Sequence, residues 1–297
     1  MQMRKKTFED RQRWLWTDLP IDQALAEAER LPLLTERPIL DGWIENGYAI
    51  LPDAVPVEEG LAFRADLLQR LTDPKHGIAM TFWDADGHHH QAAAQDLLTK
   101  REAKVLDLHV RLKSAQALIF APPILDFLTD VFQDDVVAFQ SLYFDYGSQQ
   151  GAHQDTAFVY TEPPSHFAAS WIALEDVVPG AGELFYYPGS QRLDDLIFAD
   201  GTKALRGGDP DAQGYSPLLE ETAENAGHHR AKLHIPAGTA LIWAADLIHG
   251  GEPVRIDHSR HSLVTHYCPK RAVVPYVGHL GLEPERVVDG GWVVGAY

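Results

Sequence analysis

The sequence predicts helices packed against an all-β sandwich or barrel, and three observations carry that expectation. The first third of the 297-residue chain holds runs of helix formers with apolar residues at helical spacing. From about residue 136 the texture changes to short β-rich runs separated by Gly and Pro, the pattern of a sandwich or barrel. No linker-like stretch separates the two parts. One domain over 1–297 is therefore expected, with a mostly helical flank (1–135) and a β core (136–278) interrupted by an insertion at 192–231.

The elements follow in order. "DQALAEAERL" (22–31) is dense in helix formers. In "LDGWIENGYAILPDAV" (40–55) a short helix ends at an Asn46-Gly47 turn and a strand follows. "PVEEGLAFRADLLQRL" (56–71) opens with a proline suited to a first helical turn, and Leu61, Ala65, Leu68 and Leu71 recur at helical spacing. "REAKVLDLHVRLKSAQALIF" (101–120) and "PPILDFLTDVF" (122–132) read as two more helices, the second with Leu125, Leu128 and Phe132 on one face. The β-rich runs are "VVAFQSLYFDY", "AASWIALEDVV", "ELFYYPGS", "KLHIPAGTALIWAA" and "HSLVTHYC", and "GAHQDTAFVY" (151–160) reads as a further strand. Residues 192–231 are polar and irregular, with a composition too poor in apolar residues to order itself firmly. A mobile lid over the barrel mouth is expected there.

Composition excludes several classes of partner. Net charge is −18, with no basic stripe, so nucleic acid is not an expected partner. The single cysteine, Cys268, permits neither an intramolecular disulfide nor a thiolate zinc cluster, and fits a reducing cytoplasm. "MQMRKKTFEDRQRW" has no apolar region behind its basic residues, and no run of about 18 apolar residues occurs, so neither a signal peptide nor a membrane span is expected. A cytoplasmic protein with a small-molecule substrate is the resulting expectation; the sequence leaves the oligomeric state open.

His153 and Asp155 form the only H-x-D in the sequence, and H-x-E does not occur. On an extended segment, residues i and i+2 share a face about 7 Å apart at Cα, so both side chains can converge on one ion. On a helix they would diverge by about 200°. A third ligand must come from elsewhere. His249 in "GTALIWAADLIHGGEP" stands where an apolar strand ends and a Gly-Gly-x-Pro turn begins. His88, His89, His90, His228 and His229 are rivals in polar contexts.

Two His and one carboxylate fit the facial triad of non-haem Fe(II) oxygenases, which leaves three positions open. An oxygenase that uses a 2-oxo acid and O2 also needs a cation for the distant carboxylate. Arg260 in "SRHSLVTHYC" offers a planar fork that grips a carboxylate bidentately, and Ser262 adds a hydroxyl on the same strand face. Arg255 is the competitor.

The ordered series H-Q-D, W-I-A-L-E-D, P-G-S, G-T-A-L-I-W-A-A-D-L-I-H-G-G and R-x-S-L-V-T-H-Y, spanning about 136–270, resembles the phytanoyl-CoA dioxygenase family. The resemblance implies a double-stranded β-helix (jelly-roll) core and an Fe(II)/2-oxoglutarate-dependent dioxygenase that hydroxylates a small organic metabolite, releasing succinate and CO2. It implies His153, Asp155 and His249 as iron ligands, and Arg260 as the anchor for the far carboxylate of 2-oxoglutarate. Trp171 would wall the co-substrate pocket, with Ser262 and Gln140 beside it. Tyr143, Phe158 and Tyr160 are candidate substrate-facing residues. Other classes stay open on the residues themselves: a zinc hydrolase using the same triad, or a cupin-like binding module without catalysis.

Overall fold

Proline and glycine punctuate the N-terminal elements. The structure is a computed structural model and describes residues 1–72, 80–83, 89–92, 103–206, 212–275 and 281–295. Strand β1 (Gln2–Arg4) precedes helices α1 (Ile21–Ala28) and α2 (Arg37–Asn46). Pro38 lies in the first turn of α2, where its missing N–H costs nothing. Gly47 ends that helix at φ 76°, a left-handed C-cap that glycine adopts without strain, and the chain passes directly into β2 (Tyr48–Leu51). Helix α3 (Val57–Thr72), β3 (Met80–Trp83), β4 (His89–Ala92) and β5 (Lys104–Leu106) follow, then α4 (Leu108–Arg111), α5 (Lys113–Ile119) and α6 (Pro122–Phe132).

The helix expected over 101–120 is thus a strand followed by two short helices, broken where Leu112 is extended (φ −122°, ψ 120°). The reason is tertiary. Val105 pairs with Tyr143 and is fully buried, while Lys104 and Leu106 face the opposite side. Sheet pairing with period two overrides local helix propensity.

The core strands are β6 (Val136–Phe144), β7 (Ala168–Ala173), β8 (Leu184–Tyr186), β9 (Asp195–Ile197), β10 (Ala231–Lys232), β11 (Ala240–Ala244), β12 (His249–Gly251), β13 (Ser262–Pro269), β14 (Glu285–Val288) and β15 (Gly291–Val293), with α7 (Ala212–Asn225) before β10. They form a jelly-roll sandwich. The large sheet runs β2-β11-β7-β13-β6-β5-β3-β4, with β15 parallel to the start of β6; the small sheet runs β10-β8-β12. Residues of the large sheet alternate between two cores. Ile172, Ile242, Leu263 and Tyr267 meet the helices along with Trp43, Phe63 and Phe127, whereas Trp171, Leu241, Trp243 and Val264 face the small sheet. Each large side chain buried in this way stabilises the fold by roughly 1.5–3 kcal/mol relative to exposure.

A bulge refines the alternation. His266 pairs with Gln140 and Tyr267 with Ala138, so Phe139 is the extra residue. The bulge exchanges the faces of β6, turning Val136 and Ala138 toward the helices but Gln140, Leu142 and Phe144 into the sandwich.

The insertion at 192–231 is more ordered than its composition suggests. β9 pairs with β1, and α7 buries Tyr215, Leu219 and Ala223 at four-residue spacing against Phe185, Tyr187 and Phe198. A few apolar residues on one stripe suffice when the core supplies the partner surface. No single helix among the described residues is long and apolar enough to cross a membrane.

Candidate active site

The segment from Gly151 is not the strand its sequence suggests. Only His153 pairs, through an isolated bridge in which its N–H donates to the His249 carbonyl at 2.8 Å and the His249 N–H donates back at 2.9 Å. Gln154 stays extended (φ −107°, ψ 139°), and Asp155–Ala157 then form a turn of 3-10 helix. His249 likewise does not end the apolar strand. β11 stops at Ala244, a turn follows, and His249 opens β12 in the small sheet. Glycine after it is a packing requirement, since a Cβ on Gly250 would meet the Gln150 carbonyl oxygen at 2.8 Å. Cross-bridging therefore brings the three side chains together from two separate segments.

Hydrogen bonds fix which atoms face inward. His153 Nδ1 donates to the Gly151 carbonyl at 2.9 Å, and His249 Nδ1 to the Leu247 carbonyl at 3.0 Å. Each ring therefore turns its Nε2 toward Asp155, whose Oδ1 lies 3.7 Å from His153 Nε2 and 3.6 Å from His249 Nε2. The second oxygen, Oδ2, accepts from the Trp243 indole at 2.8 Å and lies 3.3 Å from His266 Nε2. Burial pushes the pKa of His153 down to about 3, which keeps it neutral. Burial acts to raise the pKa of Asp155, but His249, His266 and His153 hold it well below the usual carboxylate range.

Two imidazole Nε2 atoms and one carboxylate oxygen thus converge on one point. All three residues are buried, and the ligand atoms lie within 4.8 Å of one another; they form the one such group among the described residues. A divalent cation is the partner this donor set fits, and the carbonyl-anchored imidazoles and indole-anchored carboxylate are the outer hydrogen bonds of a metal site.

A cavity of about 800 Å³ opens beside these ligands. Arg260 lines it, buried to 3% exposure. Its Nη1 donates to the Gly182 carbonyl at 2.9 Å and its Nη2 to Ser262 Oγ at 3.4 Å, while Nε has no partner. The guanidinium lies 5.1 Å from the Trp171 ring. Burial pushes its pKa down to about 10 against the opposing pull of Glu183 and Glu175, neither of which reaches ion-pair distance. A buried guanidinium with no direct ion pair and an unpartnered Nε is costly, so this wall is complementary to an anionic ligand.

The other expected residues divide. Gln140, Trp171 and Phe158 line the cavity; Phe158 is 53% exposed and packs edge-on to His153. Ser262 is fully buried and meets the guanidinium. Tyr143 does not face the site. Its ring packs on Phe63 and its hydroxyl donates to Asp145 at 2.5 Å, because it lies three residues from Gln140 on a strand and so points the other way. Tyr160 lines a separate, smaller cleft with Thr156 and Val159. Arg255 is exposed, and His228 Nδ1 contacts the Pro188 carbonyl at 2.8 Å, outside the ligand group. His88 and the side chains of His89 and His90 lie outside the described residues.

Sequence reasoning missed Lys104, Trp243 and His266, all in the cavity wall. The Lys104 ammonium has no ion pair among the described residues, and burial pushes its pKa down. The period-two alternation of Lys104, Val105 and Leu106 was the available signal, hidden under a helical reading.

The comparisons agree with this geometry. The family model for phytanoyl-CoA dioxygenase (PhyH) matches residues 43–262. Phytanoyl-CoA dioxygenase domain-containing protein 1 of Mus musculus is 28% identical over 134 residues, 44% of this chain and 44% of its own length. A phytanoyl-CoA dioxygenase of Arabidopsis thaliana is 31% identical over 136 residues, again 44% of each. The matched stretch therefore spans less than half of these curated relatives. Among solved structures, the non-heme alpha ketoglutarate dependent carbocyclase SnoK from nogalamycin biosynthesis superposes with a TM-score of 0.61 at 18% identity, covering 84% of this chain and 91% of SnoK. EctD from S. alaskensis, with 2-oxoglutarate and 5-hydroxyectoine, gives 0.58 at 19%, covering 80% and 77%.

Proposed function

The chain belongs to the phytanoyl-CoA dioxygenase family, and on that footing we propose that it is an Fe(II)- and 2-oxoglutarate-dependent dioxygenase that hydroxylates a small organic substrate. One observation carries the reading: a converging His-Asp-His donor set shares a cavity with a buried guanidinium that has no direct ion pair and an unpartnered Nε. A zinc hydrolase would need the first feature and leave the second without a purpose. Bound iron supplies the redox chemistry that couples decarboxylation of 2-oxoglutarate by O2 to substrate oxidation.

The chain's own residues do the rest. His153, Asp155 and His249 hold the ion on one face. Arg260 grips the distal carboxylate of the co-substrate, Ser262 steadies the guanidinium, and Trp171 and Gln140 bound the pocket. Lys104 supplies a second positive charge toward a dicarboxylate. Phe158, exposed at the mouth, offers an apolar face to the substrate and helps to keep water from the ligands. The −18 net charge favours a small-molecule partner over nucleic acid. The single buried Cys268 accords with a cytoplasmic location.

Spectroscopy under nitrogen tests the reading. Fe(II) and 2-oxoglutarate together should give a weak visible charge-transfer band, and a substrate screen in air should release succinate. Tight zinc binding with no band and no succinate would reject it.

A further inference from the structure

The side chains next to Asp155 on either side, Gln154 and Thr156, both bond to one residue, Asp246. Gln154 Nε2 donates to the Asp246 backbone carbonyl at 2.6 Å, and Thr156 Oγ1 donates to Asp246 Oδ1 at 2.9 Å. Asp246 precedes His249 by three residues, in the turn that delivers it from β11 to β12. One residue is therefore bonded to the segment carrying two ligands and sits in the turn that carries the third.

Asp246 is itself held from outside the core. Its Oδ2 accepts from Lys6 Nζ at 3.1 Å and from Ser165 Oγ at 3.3 Å, and its Oδ1 also accepts from Lys203. Lys6 donates in addition to the Gln191 carbonyl at 2.6 Å, and Lys203 to Asp195 at 3.0 Å. The carboxylate is buried, and both of its oxygens are used. A cluster of this kind has little freedom to reorient, because moving any member strands a buried charge.

We propose that Asp246 is the positioning residue of the metal site. It locks the His153–Thr156 segment to the His249 turn, and so sets the spacing of the three ligands before any ion arrives. The proposal rests on the reading of His153, Asp155 and His249 as metal ligands. It gives the N-terminal Lys6 and the insertion's Lys203 a role as neutralising struts for a group that never touches metal or substrate. It also explains the local sequence: alternate residues from 153 serve the ion, and those between serve Asp246.

The test is Co(II) affinity of the metal-free full-length protein, read by titration calorimetry and visible absorption, with a thermal melt for each variant. Thr156→Val removes the hydroxyl link at nearly constant volume and should weaken Co(II) binding by about tenfold, within the range for outer hydrogen bonds of a metal site. Thr156→Ser keeps the hydroxyl and should stay within about twofold. Asp246→Asn keeps an oxygen for Thr156 but loses the charge by which both lysines fix its orientation, and should weaken binding by about threefold to tenfold. Lys6→Met, which leaves both links in place, should lower the melting temperature while holding affinity within about threefold. Wild-type Co(II) affinity in folded Thr156→Val and Asp246→Asn overturns the proposal, as does equal loss in Thr156→Val and Thr156→Ser. If Asp246→Asn does not fold, the Thr156 pair decides. His249→Ala separates this from the underlying reading. Undiminished Co(II) binding in that variant rejects the metal site itself, whereas loss there with full affinity in Thr156→Val rejects only the positioning role.

Discussion

The two sides of the segment from His153 to Thr156 are both buried and both polar, yet their hydrogen-bond accounts are opposite. On the inner side, two imidazole nitrogens and a carboxylate oxygen face one another, and a guanidinium nearby has no direct ion pair and an unpartnered Nε. On the outer side, the Gln154 and Thr156 donors, the Asp246 acceptors and both lysines are matched. Solitary unsatisfied atoms such as Thr17 Oγ1 and Thr239 Oγ1 occur elsewhere. What distinguishes the inner side is convergence: unmet groups of complementary type share one cavity. Buried polarity that is satisfied is scaffold, and buried polarity that converges unsatisfied is a place for a ligand.

The most severe way to break the contrast is to remove a ligand. Asp155→Ala and His249→Ala should each lower Co(II) affinity more than about 100-fold, exceeding the loss from any change on the outer side, because each deletes one of three protein donors. The far-ultraviolet circular dichroism spectrum should be unchanged. Affinity near wild type in either variant would remove that residue from the ligand set.

Arg260 tests the inner side without touching the metal. Arg260→Lys keeps a charge but loses the fork, and the 2-oxoglutarate KM should rise roughly 10–100-fold with Co(II) affinity unchanged. Arg255→Lys should leave KM unaltered, since that side chain is exposed. Reversal of the two results would move the anchor to Arg255.

The inner side was largely legible in the sequence because its chemistry is written in rare residues at meaningful spacing. A lone H-x-D, a histidine before Gly-Gly and an arginine at the head of an apolar strand each carry information locally. Tyr143 was misplaced although strand alternation already sets it opposite Gln140. Lys104 was hidden because "REAKVL" is rich in helix formers, and only pairing with β6 and β3 makes it a strand. The outer side was not legible at all. Lys6 and Asp246 are 240 residues apart, and no local pattern announces that they meet. The same limit applied to α7, whose stripe of Tyr215, Leu219 and Ala223 gains meaning only from the aromatic surface beneath it.

Proton linkage sharpens the contrast in the metal-free protein. His153 titrates at about 3 when folded, against about 6.5 in an unfolded chain. Between those values the unfolded state binds a proton that the folded state does not, so stability falls as pH falls through that window, by about 1.4 kcal/mol per pH unit for this group. Asp18 and Asp107, each raised to about 6 by burial, act in the opposite sense between about 6 and 3.8. They are common to the wild type and to His153→Gln. Urea denaturation of both from pH 4 to 7 should therefore show the wild type losing stability faster as the pH drops. Parallel curves would mean that His153 is not buried neutral.

The smallest expected effect lies where the insertion meets the site. The Tyr215 hydroxyl, carried by α7, accepts from the Gln154 N–H at 3.2 Å, adding a third tie to the outer side of the ligand segment. Tyr215→Phe keeps the ring against Phe198 and Phe158 and removes only this acceptor. Loss of one hydrogen bond of this length, leaving a buried N–H unmatched, should cost about 1 kcal/mol of stability. Gln154 and Thr156 remain bound to Asp246, so Co(II) affinity should change by less than about threefold, well below the loss expected from Thr156→Val. A larger fall in affinity would shift the positioning role from Asp246 toward α7, and would make the insertion part of the site's frame. The hydroxyl would then act through the packing of the helix on its aromatic bed of Phe185, Tyr187 and Phe198.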